Sequence, residues 1–403
     1  MQIVVVVIFV AVYIGMAVGR WPGLAIDRTG VGLVGAILLF ATGAVDGPQI
    51  LKAIDFSTLA ILFSLMVVSA QFEASGFFAW CGARIARAPL APAVLLATVV
   101  GVAGGLSALL TNDVVVWALV PLVAGGVKVR GLDPRPFVIA LACAANAGSA
   151  ATLIGNPQNL LIAQTGGLRF WPFLAACGLP ALIALAVTWA VTAWIWRGRW
   201  RLAPAGETDP ALPPLNRHHL LKAVLATVLL VGIFSLPVAH PPLALAVAAG
   251  LLLNRSLGTR RVLGLVDWHL LVLFACLFTV TGALGGCGVL DGLAAGIGRW
   301  LGGFAVSLAV SLAGSNTIGN VPLVTLILAV VPGLSHAALY ALAVFSTLSG
   351  NFLIPGSMAN IIAVERARDR GIVVSFVDYA KIGVPVTGLS LAAGWGWLAL
   401  VGG

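Results

Sequence analysis

The sequence predicts an all-α, polytopic membrane protein with about ten transmembrane helices in two inverted five-span repeats. Of its 403 residues, 61% are hydrophobic and 9% are charged, a composition outside the range of soluble domains. Apolar runs of about 20 residues, the length of a helix that crosses a bilayer, alternate with short charged loops. A polar interruption of an apolar segment also recurs in each half of the chain. Together these observations define the fold class.

The charged residues are distributed as in a protein that crosses a membrane many times. The formal net charge is +9, and the basic residues, Arg20 and Arg28 among them, lie in short loops. Because they do not share one face, we interpret them as positive-inside signals and expect no nucleic-acid binding. The five cysteines form no Cys-x-x-Cys pair, so we expect no disulfide framework and no metal centre. These features predict a multi-pass protein of the cell inner membrane.

The first repeat is predicted over residues 1–196. Its apolar segments lie at 2–19, 30–45, 56–73, 91–127, 136–166 and 171–196. A shorter segment, 77–88, is amphipathic and is expected to lie along the cytoplasmic interface. The segment 91–127 begins and ends at basic loops and is interrupted by Thr111-Asn112-Asp113. We therefore expect a re-entrant hairpin with this polar triplet at its tip.

The segment 136–166 is predicted to be a broken helix. It contains Gly155, Asn156, Pro157 and Asn159 in the middle of an apolar run. Proline removes a backbone donor and glycine lets the chain unwind, so amides and carbonyls become unpaired here. Unwound backbone is tolerated at membrane depth only where it lines a protein cavity that holds a solute or an ion. The break is therefore a candidate binding site.

The second repeat, predicted over residues 222–403, follows a basic, proline-rich cytoplasmic linker at 197–221. Its apolar segments lie at 222–238, 241–253, 268–285, 299–332, 336–364 and 382–401. The segment 299–332 carries Ser315-Asn316-Thr317 and Asn320 and is the second predicted hairpin. The segment 336–364 is the second predicted broken helix.

Three short matches relate the two halves. Asp55 and Asp267 precede spans, and the intervals from them to Gly76 and Gly288 are equal. The run from Val120 to Val123 matches Val321 to Val324, and Gly155 and Asn159 have the spacing of Gly356 and Asn360. The matches occur in the same order in both halves. With an odd number of spans per half, the repeats would have opposite orientations.

With its polar hairpin tips and Gly-Asn-Pro-x-Asn break, the chain resembles the ion transporter superfamily. The resemblance is closest to the arsenite permease and citrate transporter-like anion permease branch, which is related to the divalent anion–sodium symporters. Those symporters carry Ser-Asn-Thr at both tips, whereas here only Ser315-Asn316-Thr317 has this form and Asp113 departs from it. The resemblance implies an elevator mechanism, in which hairpins and broken helices slide against a scaffold of the remaining spans. Substrate would lie between the tips and the breaks.

The candidate substrate- and ion-binding residues are the polar residues and glycines of the tips and breaks. They are Thr111, Asn112, Asp113, Thr152, Gly155, Asn156, Asn159, Ser315, Asn316, Thr317, Asn320, Gly350, Asn351, Gly356, Ser357 and Asn360. Helix amino termini at these places favour an oxyanion, and the amides and hydroxyls could equally bind a neutral metalloid acid such as arsenous acid. No arginine within the apolar runs is available to clamp a dicarboxylate.

Asp113 is the candidate for proton coupling, because a carboxylate at membrane depth must be protonated, hydrated or paired. A cap at the hairpin tip is the structural alternative. Na⁺ at the Asn112 and Asn316 tips is the other coupling hypothesis. We expect no cofactor beyond a coupling ion, H⁺ or Na⁺.

The leading interpretation is a secondary active transporter, by symport or antiport, of an oxyanion or of arsenite or antimonite. A channel subunit driven by a separate ATPase and a Na⁺/H⁺ antiporter remain alternatives. The sequence has no metalloprotease motif and no nucleophile elbow, so an enzyme is not expected. The expected partners are a small anion or metalloid and the lipid bilayer, with a homodimer and an ATPase subunit left open. Substrate, direction and coupling ion are also left open.

Overall fold

The computed structural model describes residues 1–19, 23–201, 213–254, 257–287 and 303–401. These residues form α-helices and their connections, with one isolated bridge between Leu132 and Arg201. Seven of the helices are long and apolar enough to cross a membrane. The fold class predicted from the sequence, an all-helical membrane protein, is therefore confirmed.

Ten helices precede the predicted linker in the described part of the chain. They are α1 (Gln2–Val18), α2 (Arg28–Ala41), α3 (Gly47–Ala53), α4 (Phe56–Ala74), α5 (Phe77–Arg87), α6 (Pro92–Leu109), α7 (Asn112–Val129), α8 (Arg135–Ser149), α9 (Pro157–Gly166) and α10 (Phe170–Ile195). The helices that are long enough to span are α4, α6, α7 and α10.

After the linker, the described residues contain nine α-helices and a short 3₁₀ turn. They are α11 (Arg217–Ser235), α12 (His240–Leu252), α13 (Thr259–Leu263), α14 (Trp268–Gly286), α15 (Phe304–Thr317), α16 (Asn320–Val330), α17 (His336–Ser349), the turn Ile354–Gly356, α18 (Met358–Arg368) and α19 (Phe376–Val401). The helices α11, α14 and α19 are long enough to span.

Several boundaries differ from the predicted ones. The predicted linker ends early, because Asn216 caps α11 by accepting hydrogen bonds from the backbone N–H groups of His218 and His219. The centre of that linker, 202–212, and Gly288 lie outside the described residues, as does the start of the second hairpin at 299–302. The short helices α3 and α13 were not predicted, since seven and five residues are too few to give an apolar run.

The starts of α4 and α14 are built in the same way. Asp55 caps α4 by accepting from the backbone N–H of Thr58, and Asp267 caps α14 by accepting from that of Leu270. Such a cap satisfies one of the amides that a helix amino terminus leaves free. The shared geometry supports the sequence match between these two aspartates.

Both hairpins turn at the predicted polar tips. Only Leu110 and Thr111 separate α6 from α7, and only Ile318 and Gly319 separate α15 from α16. Gly319 has φ +95°, a conformation that favours glycine. The match between the two Val-Pro-Leu-Val runs is not a structural equivalence, because Pro121 lies inside α7 whereas Pro322 lies in the first turn of α16.

The helices pack in two groups. One group contains both hairpins, both broken helices, α10 and α19, and the other contains α1, α2, α4, α11, α12 and α14. The core lies at the centre of the first group, where every residue of α8 from Pro136 to Ser149 is buried. The resemblance implied that α10 and α19 belong to the scaffold, but they pack against the broken helices instead.

The loop before α8 is held by an ion pair. The Asp133 carboxylate accepts from the Arg135 guanidinium at 2.7 Å and from the indole Nε1–H of Trp196 at 3.2 Å. Burial alone would raise the pKa of Asp133, but the hydrogen bonds from Arg135 and Trp196 hold it below its usual value. This pairing fixes the start of the first broken helix.

Candidate substrate site at the hairpin tips and helix breaks

The first break is stabilised by an asparagine that replaces the missing helical hydrogen bonds. The amide nitrogen of Asn159 donates to the carbonyl oxygens of Ser149, at 3.2 Å, and Thr152, at 3.0 Å. Asn156 caps α9 by accepting from the backbone N–H of Asn159 at 2.8 Å. The unwound residues between α8 and α9 are therefore rigidly held rather than loose.

The second break repeats this arrangement. The amide nitrogen of Asn360 donates to the carbonyl oxygens of Gly350, at 2.6 Å, and Leu353, at 3.2 Å. Both Asn159 and Asn360 thus bond the carbonyls ten and seven residues before them. Equal spacing and equal partners at two distant places support an internal duplication.

Each hairpin tip lies against a break. The backbone N–H of Asn112 donates to the carbonyl of Gly155 at 3.1 Å. With its amide oriented to suit its neighbours, Asn320 donates to the carbonyl of Gly356 at 2.8 Å. Asn316 donates to the carbonyl of Ser349 and accepts from the backbone N–H of Leu353. Tip and break therefore form one unit in each half.

Asn146 joins the two units. Its amide nitrogen donates to the side-chain oxygens of Asn351, at 2.8 Å, and Asn360, at 3.0 Å. Its side-chain oxygen accepts from the amide of Asn112 and from the hydroxyl of Ser357, both at 3.0 Å. Asn146 has 0% exposure. This single side chain connects the first hairpin tip with the second break.

Alanine at Gly155 is expected to destabilise the protein by about 1–3 kcal/mol. An added Cβ would contact the carbonyl oxygen of Ser149 and lie 2.9 Å from that of Ser107, and neither backbone oxygen can move freely. Thermal unfolding of the purified protein in detergent measures the effect. Gly101→Ala in α6 is the matched control, because no atom lies within 4 Å of its added Cβ. Equal melting temperatures for the two variants would contradict tight packing at the break.

A small cavity of about 50 Å³ opens between the tips and the breaks. The first residues of four helices, α7, α9, α16 and α18, line it. A helix amino terminus carries N–H groups without helical partners and the positive end of a dipole, although here the Asn112 N–H already donates to Gly155 and Pro157 has none. The side-chain oxygen of Asn112, which lines the cavity, is buried without a partner among the described residues. The helix amino termini suit a ligand with negative charge, whereas the Asn112 oxygen, which can only accept a hydrogen bond, suits a hydroxyl group on that ligand.

Arg28 also lines this cavity. The sequence suggested a loop residue that marks topology, and no arginine near the site. The expectation of no arginine near the site was wrong, because the Arg28 side chain, in the first turn of α2, reaches the second break. The Arg28 guanidinium donates to the carbonyl oxygen of Met16 at 3.2 Å and to that of Pro355 at 3.5 Å. A cation from the other helix group therefore faces the four helix amino termini.

Asp113 lies beside Asn112 at the start of α7 and lines both this cavity and a second one. Within the described ranges it has neither a hydrogen bond nor an ion pair. The structural alternative, a carboxylate that caps the tip, therefore finds no support in the side-chain contacts.

The structure brings together most of the predicted site residues. Those that line the cavity or bond within the two units are Asn112, Asp113, Thr152, Gly155, Asn156, Asn159, Ser315, Asn316, Asn320, Gly350, Asn351, Gly356, Ser357 and Asn360. Thr111 is buried at the first tip, and its hydroxyl has no partner among the described residues. Thr317 differs, because it is exposed and its hydroxyl donates to carbonyls of its own helix.

Four residues that line the cavity or bond within these units were missed. They are Arg28, Asn146, Gln158 and Thr347. A lone asparagine in the alanine-rich run before Ser149 is the signal that could have indicated Asn146. Gln158 lines the cavity and donates to the hydroxyl of Thr347 at 3.3 Å, but no local pattern singles out either residue.

Fold and site together define a multi-pass membrane transporter. The chain matches the citrate transporter family, CitMHS, over residues 4–349, and it belongs to that family. It is 32% identical to the inner membrane protein YbiR of Escherichia coli, with 79% of this chain and 82% of YbiR covered. It is 37% identical over 163 residues to the silicon efflux transporter LSI3 of rice, with 40% and 33% covered. The solved structure of the YdaH transporter of Alcanivorax borkumensis shares the fold, with TM-score 0.60, 17% identity, and 100% and 97% of the two chains covered.

Proposed function

We propose that this protein is a secondary active transporter of the cell inner membrane that moves a small oxyanion or hydroxylated metalloid, coupled to H⁺ or Na⁺. The observation that carries the proposal is the convergence of four helix amino termini and Arg28 on one cavity. The partial positive charges of the dipoles and the full charge of the guanidinium act in the same direction. The relative YbiR is named an inner membrane protein, which supports the choice of membrane.

Asp113 opposes the binding of an anion in this cavity. A carboxylate beside a bound anion costs free energy unless a proton or a metal cation neutralises it. Binding of the anion and neutralisation of Asp113 therefore favour each other, and such reciprocal coupling is what a symporter requires. For a neutral metalloid acid, the same carboxylate would instead exchange its proton in antiport.

An elevator movement is supported by the way the helices pack. In such a movement the group of α1, α2, α4, α11, α12 and α14 would be the scaffold. This group supplies Arg28 and two leucines of α14, Leu270 and Leu273, to the cavity, whereas the tips and breaks come from the other group. The cavity therefore lies at the boundary between the groups. Sliding one group would carry the tips, the breaks and a bound solute away from Arg28 as a unit.

The names of the relatives suggest which solutes to test. The matched family is named for citrate, and LSI3 is named for silicon efflux. Thermal stabilisation of the purified protein by citrate, succinate, sulfate, phosphate, silicate, arsenite and antimonite, with and without Na⁺ at two pH values, tests the proposal. A ligand at a hundredfold excess over its Kd should stabilise the protein by about 2.7 kcal/mol. If no solute gives a shift under any condition, the proposed substrate class is wrong.

Replacing Asp113 with asparagine should abolish the dependence of transport on the coupling ion. The amide keeps the size and the helix amino terminus but cannot bind a proton or neutralise a cation. Uptake into proteoliposomes of the solute found above, with and without a pH or Na⁺ gradient, measures the effect. Transport by Asp113→Asn that still accumulates solute against its gradient would refute Asp113 as the coupling residue.

A Na⁺/H⁺ antiporter is the second candidate, favoured by the position of Asp113 between two cavities. It predicts exchange of Na⁺ for H⁺ without any anion, and no stabilisation by the solutes named above. Exchange that is slow until an anion is added would favour the first proposal.

A further inference from the structure

A second cavity, of about 260 Å³, lies on the other side of Asp113. It is lined by residues of α4, α7, α18 and the segment before α14. Three carboxylates face it, Asp113 from the first hairpin tip, Glu73 from the end of α4 and Asp267 from the start of α14. Glu73 and Asp267 belong to the scaffold, whereas Asp113 belongs to the other group.

A buried hydroxyl adds to this set of oxygens independently of the carboxylates. Ser69 lines the same cavity, is 1% exposed, and its hydroxyl has no hydrogen-bond partner in the described part of the chain. A buried hydroxyl without a partner is unfavourable, so such groups commonly face a bound water or ion. Carboxylate and hydroxyl oxygens are the donors that hard cations prefer.

The charges around the cavity leave it negative. Three carboxylates line the cavity and no lysine, arginine or histidine does among the described residues, and the nearest guanidiniums to Glu73 are those of Arg261 and Arg366. Arg366 is shared, because its guanidinium also pairs with Asp369 at 3.3 Å and lies 4.5 Å from the centre of the Trp117 ring. Arg28 lines the first cavity, on the opposite side of Asp113. The nearby guanidiniums therefore do not balance the three carboxylates.

We infer that this second cavity binds a monovalent cation, Na⁺ or a proton. The cation reaches and neutralises Asp113 from this side, without passing through the substrate cavity. The inference rests on the proposed function for the use of that charge, but binding of the cation itself needs no substrate. It assigns Glu73, Asp267 and Ser69 to a cation site that is separate from Arg28 and the four helix amino termini. Coupling would follow because Asp113 is the one residue that both cavities share.

Solid-supported-membrane electrometry on the full-length protein in proteoliposomes tests this inference without any anionic solute. A sudden rise in Na⁺, or a sudden fall in pH, should produce a transient current as the cation enters the site. A current after the Na⁺ jump at constant pH identifies Na⁺, and a current after the pH jump alone identifies the proton. We expect Asp113→Asn to abolish the current, and Asp267→Asn and Glu73→Gln each to lower the apparent affinity at least tenfold.

Asp55→Asn is the matched control for Asp267→Asn. Both aspartates cap a helix with the same geometry, asparagine retains that cap, and Asp55 does not line the cavity. Asp55→Asn should therefore stay within twofold of the wild type. Absence of a current in the wild type after both jumps, or wild-type affinity in both Asp267→Asn and Glu73→Gln, would overturn the inference. If the proposed substrate class is wrong, these cation currents should still be observed, because they are measured without any anionic solute. A wrong substrate class can therefore be distinguished from a wrong cation site.

Discussion

Replacing Arg28 with methionine should weaken the binding of an anionic solute by roughly 30-fold to several thousand-fold, since truncating one partner of a buried charge pair costs about 2–5 kcal/mol. Methionine retains the length of the side chain and removes its charge and donors. The loss should be large because Arg28 is the full positive charge that faces the four helix amino termini in the cavity. Titration of the solute, with melting temperature as the signal, measures the change in Kd.

Two further variants make this test specific. Arg28→Lys keeps the charge but lacks the planar fork that binds two oxygens of one anion, so we expect an intermediate affinity. Arg199→Met removes an equal charge at an exposed position outside the cavity and should bind like the wild type. If Arg28→Met and Arg199→Met have the same Kd for an anionic solute, Arg28 is not a ligand. Unchanged binding of arsenite or silicate alone would indicate that the solute binds in its neutral form.

The parts of the site that interrupt an apolar pattern could be predicted from the sequence. The hairpin tips and both breaks were predicted because glycine, proline and asparagine do not belong in a membrane helix unless a cavity uses them. Arg28 was missed because it follows a basic loop, where a signal of topology is the simpler interpretation. The position of Arg28 in the site depends on the packing of α2 against the second break, where its guanidinium donates to the carbonyl of Pro355.

The hydrogen bonds support an internal duplication more clearly than the sequence does. Thr347 lies as far before Asn360 as Asn146 lies before Asn159. The Thr347 hydroxyl accepts from the amides of Asn156, at 3.4 Å, and Gln158, at 3.3 Å. Asn146 and Thr347 thus occupy equivalent positions and bond across to the opposite break. Because their side chains differ, a search for matching residues does not find the pair.

Replacing Asn146 with leucine should destabilise the protein by about 3–5 kcal/mol, since each buried polar group that loses its partner costs about 1–3 kcal/mol. Leucine has the same branched shape, although it is larger, and it has neither donor nor acceptor. The amide of Asn112 and the hydroxyl of Ser357 would lose an acceptor, and the side-chain oxygens of Asn351 and Asn360 would lose a donor. The apparent melting temperature in detergent should fall by roughly 10 °C.

Thr188→Val is the control for Asn146→Leu, because it also removes a fully buried polar group but at a place that joins no two elements. Thr188 is 0% exposed and its hydroxyl bonds only the carbonyl of Ala184 in its own helix. A change of about 1 kcal/mol or less is expected there. Because Asn146 connects the first tip with the second break, its loss should also weaken solute binding in the protein that remains folded. Equal stability of Asn146→Leu and Thr188→Val would mean that helix packing and the Thr347 hydrogen bonds hold the two units together without Asn146.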